Sequence, residues 1–409
     1  MQGGDRVRTG RGLRVLSVYE GFFSGGARIV HSDVVLGLRE GGQHHRVLSI
    51  HGEVHREATR QRMEDDACYR ALTGADVGVT SLGRTFGIGG TDPAAFSGPE
   101  LADTARATAD ADVILSLKEQ PLALLRQAGL PRRPVVVCLH RSDPENQGRA
   151  LHDLKAGIAD GTVAAAVCCA ESTRAAYEAA GVPAALLQVI PNGVDLIRFR
   201  PDPARRLALR TALDVPAEAP VVVFAARYDG MKNVPLFLAA ASAWLDAVPE
   251  GRVLMCGAGM SAANPGLAAD IAEAFDGRDR SRGRLRLLGV RHDMETVYAA
   301  ADVVSLTSSW GEAAPLCLIE GMMCGAVPVS TDVGDSAAIV AGHGLVTPPD
   351  PAAIAAAWSE AVANREAYAP ALAASRERFS RTRMIASYAA LVDRVYAGDA
   401  LTVGSPEEG

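Results

Sequence analysis

Short apolar runs rich in valine, isoleucine and leucine alternate with alanine-rich amphipathic stretches along nearly the whole chain. Strands buried on both faces read as continuous apolar runs, and parallel strands need a crossover segment, usually a helix, between them. The pattern therefore predicts α/β architecture with parallel sheets. One set of strands is expected at Leu13–Val18, His45–Ile50, Asp112–Leu117, Val135–Leu139, Ala164–Cys169 and Leu187–Ile190. A second is expected at Val221–Ala225, Val253–Cys256, Leu285–Leu288, Val303–Leu306, Val327–Ser330 and Gly344–Val346. Two sheets of about six strands emerge, and 409 residues suffice for two domains, each with its own core. The stretch Pro191 to Pro220, rich in Pro, Arg and Asp, reads as the interdomain connection. Ile354–Asn364 and Ala367–Ala397 read as helical, with Thr382–Ala397 closing the chain, and Met1–Arg11 and Gly398–Gly409 as unstructured ends.

Charge and composition exclude several functions. With 48% apolar and 22% charged residues the chain is globular, and a net charge of −7 argues against a nucleic-acid surface. No apolar run reaches the length of a membrane span, and Met1 to Gly12 is polar and basic with no apolar core after it, so a cytoplasmic protein is expected. The cysteines, Cys68, Cys138, Cys168, Cys169, Cys256, Cys317 and Cys324, lack paired metal spacing and suit small core residues in a reducing compartment.

The stretch from Trp310 to Ser330 carries the chemistry. Pro315 opens and Gly325 closes an expected helix of about Pro315 to Cys324, with Glu312 at its start and Glu320 in its body. Eight helical residues at 1.5 Å each would separate these carboxylates by roughly 12 Å, about the span from a hexose to the ribose across a diphosphate. The unpaired N–H groups at the helix start suit a phosphate or a sugar hydroxyl. A surface helix with two unrelated glutamates has the same pattern. Arg227 and Lys232, after the strand Val221–Ala225, put two cations at the carboxyl end of a first strand, where open α/β sheets bind ligands. Gly25-Gly26 follows the first strand and opens a helix, and His140 ends the strand Val135–Leu139 ahead of Arg141. Asn192-Gly-Val-Asp195 is a turn near the hinge. Gly257 and Gly259 lack the acidic residue of a dinucleotide fingerprint and read as a structural turn. His51-Gly-Glu53-Val-His55 departs from zinc-helix order and reads as a polar loop.

Taken together, these residues resemble a retaining glycosyltransferase of family 4, from about Arg14 to Ala397. The specific parts are Glu312 to Glu320 as the E-x7-E element, Arg227 with Lys232 as the diphosphate pair, and Pro191-Asn-Gly-Val-Asp195 with Phe199 as the interdomain signature. The resemblance implies the GT-B fold, two Rossmann-like doubly wound domains facing a central cleft. Residues 12–195 with the helix 382–397 would form the acceptor-binding domain, and 203–381 the donor-binding domain. Arg227 and Lys232 would stabilise the leaving diphosphate, Glu312 with the backbone of Ala313, Ala314, Pro315 and Leu316 would hold the donor sugar, and Glu320 the ribose. The backbone at Val290 would meet the nucleobase and Gly25-Gly26 a phosphate. His140, Arg141 and Asn192 would face the acceptor, with His140 close to the reacting carbon. Catalysis would rest on Arg227, Lys232, Glu312 and His140, with no metal and no cofactor beyond a UDP-linked sugar. Ala226, Ala313, Asp335 and Ala338 depart from the usual family residues, which leaves the donor sugar open.

The implied reaction moves a hexose or N-acetylhexosamine from a nucleotide-diphosphate sugar to a hydroxyl of a small soluble acceptor, with front-face retention, by a monomer or homodimer. The alternatives are a lipid-linked envelope glycan as acceptor, a sugar phosphorylase or nucleotide-sugar epimerase on the same fold, and a non-catalytic nucleotide-sugar binder.

Overall fold

The computed structural model describes residues 12–22, 25–56, 59–87 and 95–399. Of the ends expected to be unstructured, Met1–Arg11 and residues 400–409 of Gly398–Gly409 lie outside the described residues, while Gly398 N and Asp399 N donate to the Val395 and Arg394 carbonyls of the closing helix. The chain divides into two compact units, Met1–Pro191 with Thr382–Gly409, and Asn192–Arg381.

The first unit is built on an eight-stranded sheet. Its strands are β1 (Arg14–Gly21), β2 (His44–Arg56), β3 (Thr59–Arg62), β4 (Gly78–Phe86), β5 (Val113–Leu117), β6 (Val135–Leu139), β7 (Val163–Cys168) and β8 (Leu187–Val189). The order is β3-β2-β1-β5-β6-β7-β8 with β4 also paired to β2, and β3 alone runs antiparallel to its neighbour. Successive strands are laid outward first on one side of β1 and then on the other. The carboxyl ends of β1 and β5 therefore flank a topological switch point, the place where such sheets bind ligands. The helix Gly26–Glu40 covers one face with Val30, Val34, Val35 and Leu38. The closing helix Arg381–Ala397 packs on it so closely that a Cβ at Gly37 would overlap Ile385.

The sequence reading missed β3 and β4 and ended β2 too early. These segments are polar, and β4 is at most half-buried along its length, so the apolar run that marks the other strands is absent. His51 to His55 is accordingly strand, not loop, paired with β4 and β3. Glu53 and His55 share a face, as period-two geometry requires, with Oε2 and Nε2 3.3 Å apart.

The second unit holds a six-stranded, all-parallel sheet of β9 (Val221–Ala225), β10 (Arg252–Cys256), β11 (Leu285–Gly289), β12 (Val303–Leu306), β13 (Val327–Thr331) and β14 (Leu345–Thr347). Its order, β11-β10-β9-β12-β13-β14, is that of a doubly wound nucleotide-binding sheet, with the switch point between β9 and β12. Two apolar clusters cover its faces, one around Leu318, Met322 and Tyr298, the other around Phe237, Trp244 and Trp358. At the amino end of β12, Asp302 binds Arg206, Arg210 and Arg365, so one buried carboxylate ties two helices, Pro203–Ala212 and Arg365–Ala374, to the sheet. The stretch read as connection is about one third helix: Pro203–Ala212 carries Arg206 and Arg210 into this unit. Its few apolar positions hid it, because the buried side of the helix is made largely of arginine stems.

Candidate active site

At the switch point of the second unit, β9 runs out at Ala225 and delivers Arg227 and Lys232, while β12 delivers Thr307 to Glu312. A Cβ at Gly257, at φ +133, would overlap the Ala226 carbonyl, and one at Gly259, at φ +78, would lie 2.8 Å from Tyr228 Cβ. These two glycines let the turn after β10 lie flat against the Arg227 loop. Asp229 accepts a bond from Met231 N at 2.9 Å and starts the short turn Gly230–Lys232. Asn233, left-handed at φ 49, ends that turn and caps the helix Val234–Ala247 through Leu236 N.

These loops are cross-tied. Lys232 Nζ donates to Glu312 Oε1, which also accepts from Ser308 Oγ at 2.6 Å. Thr307 Oγ1 donates to the Lys232 carbonyl at 3.1 Å, Thr331 Oγ1 to the Ser308 carbonyl at 2.7 Å, and Ser309 N to the Met231 carbonyl at 2.9 Å. Glu312 is only 7% exposed, so its charge is held by the ammonium and the hydroxyl. Arg227, whose Nη2 lies 3.1 Å from Asp229 Oδ2, stands on the same loop. The structure thus brings Lys232 and Glu312 into contact and leaves Arg227 beside them on a shared, braced loop.

The helix begins later than the sequence suggested, at Leu316, and ends at Met323, with Pro315 an extended N-cap at φ −66 and ψ 112. Glu312 therefore lies in the loop ahead of the helix, and the spacing of roughly 12 Å derived from helical rise does not apply. The cause is local. The Ala313 carbonyl accepts from Asp335 N at 2.8 Å and the Ala314 carbonyl from Asn192 Nδ2 at 3.1 Å, so neither serves the helix ladder. Gly325 does close the segment in a left-handed conformation, at φ +87. Glu320 is half-buried near Tyr298, whose phenol is raised far above its ordinary value by burial and then by the Glu320 charge. Val290, at 60% exposure, follows β11 at the same carboxyl edge.

The first unit holds the other expected residues. Gly25, at φ 156, is the N-cap of the helix after β1, and Gly26 is its first residue. His140 follows β6; its Nε2 is buried with no hydrogen-bond partner among the described residues, and burial, then the Lys118 charge, pulls the ring down to about 3. Arg141 is held by Asp143 through two bonds of 2.7 and 2.6 Å. Asn192 falls in the second unit, 5% exposed, and its Nδ2 donates to the Ala314 carbonyl ahead of the helix Leu316–Met323.

Sequence reasoning passed over the end of β5. Lys118 is left-handed at φ 68 without being glycine, its ammonium 4.0 Å from Glu20 Oε2 at the end of β1. Glu119 is 2% exposed and accepts from the Tyr177 hydroxyl; burial pushes its carboxyl up to about 7. A titratable pair directly after an apolar strand was the available signal. Ser308, which shares Glu312 with Lys232, was likewise unmarked.

Two family comparisons cover most of the molecule. Residues 24–198 match the family described as Glycosyltransferase Family 4, and residues 219–364 the one described as Glycosyl transferases group 1. The chain belongs to glycosyltransferase family 4. Among curated relatives, a D-inositol 3-phosphate glycosyltransferase of Saccharomonospora viridis is 37% identical over 164 residues, 39% of this family 4 chain and 36% of that protein. One of Kineococcus radiotolerans is 33% identical over 160 residues, 38% of this chain and 36% of that protein. The matched stretch thus spans about a third of the length of these relatives. The fold is that of GT-B glycosyltransferases. Anabaena HepE in complex with UDP superposes with a TM-score of 0.75 at 20% identity, covering 93% of this chain and 99% of that one. WaaG, a glycosyltransferase involved in lipopolysaccharide biosynthesis, gives 0.67 at 13% identity over 93% and 99%. No helix among the described residues of this family 4 member is long and apolar enough to cross a membrane.

Proposed function

We propose that this chain transfers a hexose or N-acetylhexosamine from a UDP-linked sugar to a hydroxyl of a small polar acceptor, with retention and without a metal. The observation that carries the reading is the buried Lys232–Glu312 pair at the switch point of the second sheet, with Arg227 on the adjoining loop. Arg227 and Lys232 neutralise the diphosphate as charge grows on it, a preorganised arrangement that in enzymes often contributes the largest share of rate enhancement. Glu312 accepts hydrogen bonds from the donor sugar, and the N–H groups of Ala313 and Ala314 are free to donate. Glu320 binds the ribose, and the backbone at Val290 meets the base. His140, Arg141 and the helix start at Gly25-Gly26 serve the sugar and acceptor from the first unit.

Transfer proceeds on one face of the sugar. The bond from the anomeric carbon to the diphosphate oxygen breaks as the acceptor oxygen bonds to the same carbon from the same side. The acceptor proton passes to the departing phosphate oxygen. The HepE structures with UDP and with UDP-glucose support a UDP-linked donor by analogy of fold, and the relatives named D-inositol 3-phosphate glycosyltransferases support a small polyol acceptor.

A thermal-shift screen of UDP, GDP, ADP and dTDP sugars tests the donor. A ligand at a hundred times its Kd stabilises by about 2.7 kcal/mol, and UDP compounds should give the largest rise. NMR of the product tests the stereochemistry: an inverted anomeric bond would overturn front-face transfer.

A further inference from the structure

We infer that Asn192 is a positioning residue for the donor-sugar loop: its side-chain amide sets the orientation of the backbone between Glu312 and the helix Leu316–Met323. The inference rests on the transfer reaction proposed above, but its structural part stands on contacts within the second unit alone.

Three consecutive peptide groups follow Glu312: the first has its carbonyl packed against a turn, and the next two have theirs hydrogen-bonded. A Cβ at Gly334 would overlap the Glu312 carbonyl oxygen, so this left-handed glycine, at φ +62, lets that carbonyl pack on the Val333–Asp335 turn. The Ala313 carbonyl accepts from Asp335 N at 2.8 Å. The third, Ala314, accepts from Asn192 Nδ2 at 3.1 Å. In a trans peptide the N–H of the next residue points opposite to the carbonyl. Holding the first two carbonyls thus turns the N–H groups of Ala313 and Ala314 the other way, and neither donates to another described residue. Two unpaired donors beside a buried carboxylate are what a hydroxyl oxygen of the donor sugar needs.

The third peptide is the weak point. Pro315 supplies no N–H, so this peptide can be fixed only through the Ala314 carbonyl, and Asn192 is its partner. Asn192 is itself rigidly placed. Val194 N donates to the Phe379 carbonyl at 2.8 Å and Arg381 N to the Val194 carbonyl at 3.0 Å, while a Cβ at Gly193 would lie 2.7 Å from Ser380 C. The amide therefore reaches the loop from a backbone clamped one residue away. Asn192 is also the first residue after the chain leaves the first unit, and residues 379–381 are the last before it returns, so the bridge that fixes the amide joins both crossings.

The test compares Asn192→Asp, which keeps the shape but removes the N–H donor, with Asn192→Ala. In the unliganded protein, hydrogen exchange at Leu318 and Asp335 should quicken by about tenfold in both variants, the worth of one hydrogen bond, while exchange in the helix Val234–Ala247 stays unchanged. Their N–H groups report the loop because they donate to the Pro315 and Ala313 carbonyls. In titrations, UDP affinity should stay within about twofold of wild type, and UDP-glucose affinity and turnover should fall about tenfold, since only the sugar meets this loop. An Asn192→Asp variant matching wild type in exchange and sugar affinity would overturn the inference. So would exchange that rises evenly through the second unit with the UDP to UDP-glucose ratio unchanged, which is the signature of a merely structural contact. A wild type that binds neither UDP nor UDP-glucose would instead sink the donor reading, and the exchange comparison would still decide the role of Asn192.

Discussion

The two switch points differ in how their polar groups are employed. In the second unit nearly every group at the strand ends has a partner: Lys232 and Ser308 on Glu312, Thr307 on the Lys232 carbonyl, Thr331 on the Ser308 carbonyl, Asn192 on Ala314. In the first unit the corresponding edge holds a buried histidine nitrogen with no partner among the described residues, a left-handed lysine beyond hydrogen-bond reach of Glu20, and a carboxyl that burial pushes up to about 7. A network already satisfied costs little reorganisation when a charged ligand arrives. An edge with unmatched groups gains its bonds from the ligand. The contrast fits a preformed site for an anionic donor and a site completed by its acceptor.

The harshest break of this contrast is Lys232→Ala. It removes a cation from the proposed diphosphate site and takes from the buried Glu312 carboxylate its ammonium partner. Turnover with the UDP sugar should fall on the order of a thousandfold, judged by the worth of one preorganised charge in a transition state. Breaking a buried pair costs about 3–5 kcal/mol, so the melting temperature should fall too. Activity within tenfold of wild type would show that the pair is structural. His140→Ala should behave differently. Its Nε2 has no bond to lose, so the melting temperature should hold while turnover drops about tenfold to a hundredfold. A large loss of stability with turnover kept would place His140 in the core instead.

The legibility of the sequence follows the same division. Strands buried on both faces were readable nearly to the residue, as with Val221–Ala225, Val135–Leu139 and Val303–Leu306, because continuous apolar runs have few other uses. β3 and β4 were not, because half-exposed strands beside a polar hairpin carry no apolar period. Ionisable residues that follow a strand end, Arg227, Lys232 and His140, stood out by type and position. Asn192 was read as a turn residue and, through the resemblance, as facing the acceptor; its bond to Ala314 was not legible, since that partner is 122 positions away and the contact is made to a backbone atom. The early helix start at Pro315 was misjudged for the same reason: the carbonyls that would have extended the helix are claimed by Asp335 and Asn192, which no local pattern reveals.

Proton linkage sharpens the comparison further, and its sign differs between groups of the first unit. His31 and His45 are buried and pulled down to about 3, His31 with Nε2 3.3 Å from Ser17 Oγ. Their folded values lie below the ordinary 6.5, so the unfolded chain takes up protons first. Their contribution is present above about pH 6.5 and is lost as the pH falls toward 3. Glu119 works the other way. Its folded value is raised from 4.5 to about 7, so the folded state is relatively favoured below 4.5 and disfavoured as the pH rises through 7. Glu119→Gln keeps an acceptor for the Tyr177 hydroxyl and removes the buried charge. It should therefore stabilise the protein by about 1–3 kcal/mol at pH 8 and by almost nothing at pH 4.5, read from melting curves at both values. Equal shifts at the two pH values would show that Glu119 is ionised at no cost and that this edge is as well compensated as the other.

The smallest effect is optical. Trp244 and Trp358 are 1% and 0% exposed, whereas Trp310, two residues before Glu312, is 51% exposed with its ring 3.8 Å from where a Cβ on Gly230 would lie. Emission of a buried indole is insensitive to solvent, so any change on ligand addition reports on Trp310 and the loop that carries Lys232. A preformed site moves little on binding, so UDP alone should shift the emission maximum by no more than a few nanometres, with a modest intensity change as the ring is partly covered. Trp310→Phe should abolish that change while leaving turnover within about threefold, because the indole makes no hydrogen bond to the network around Glu312. A large blue shift with UDP would mean that the Trp310 loop closes over the ligand, and the second unit would then be as dependent on its ligand for order as the first.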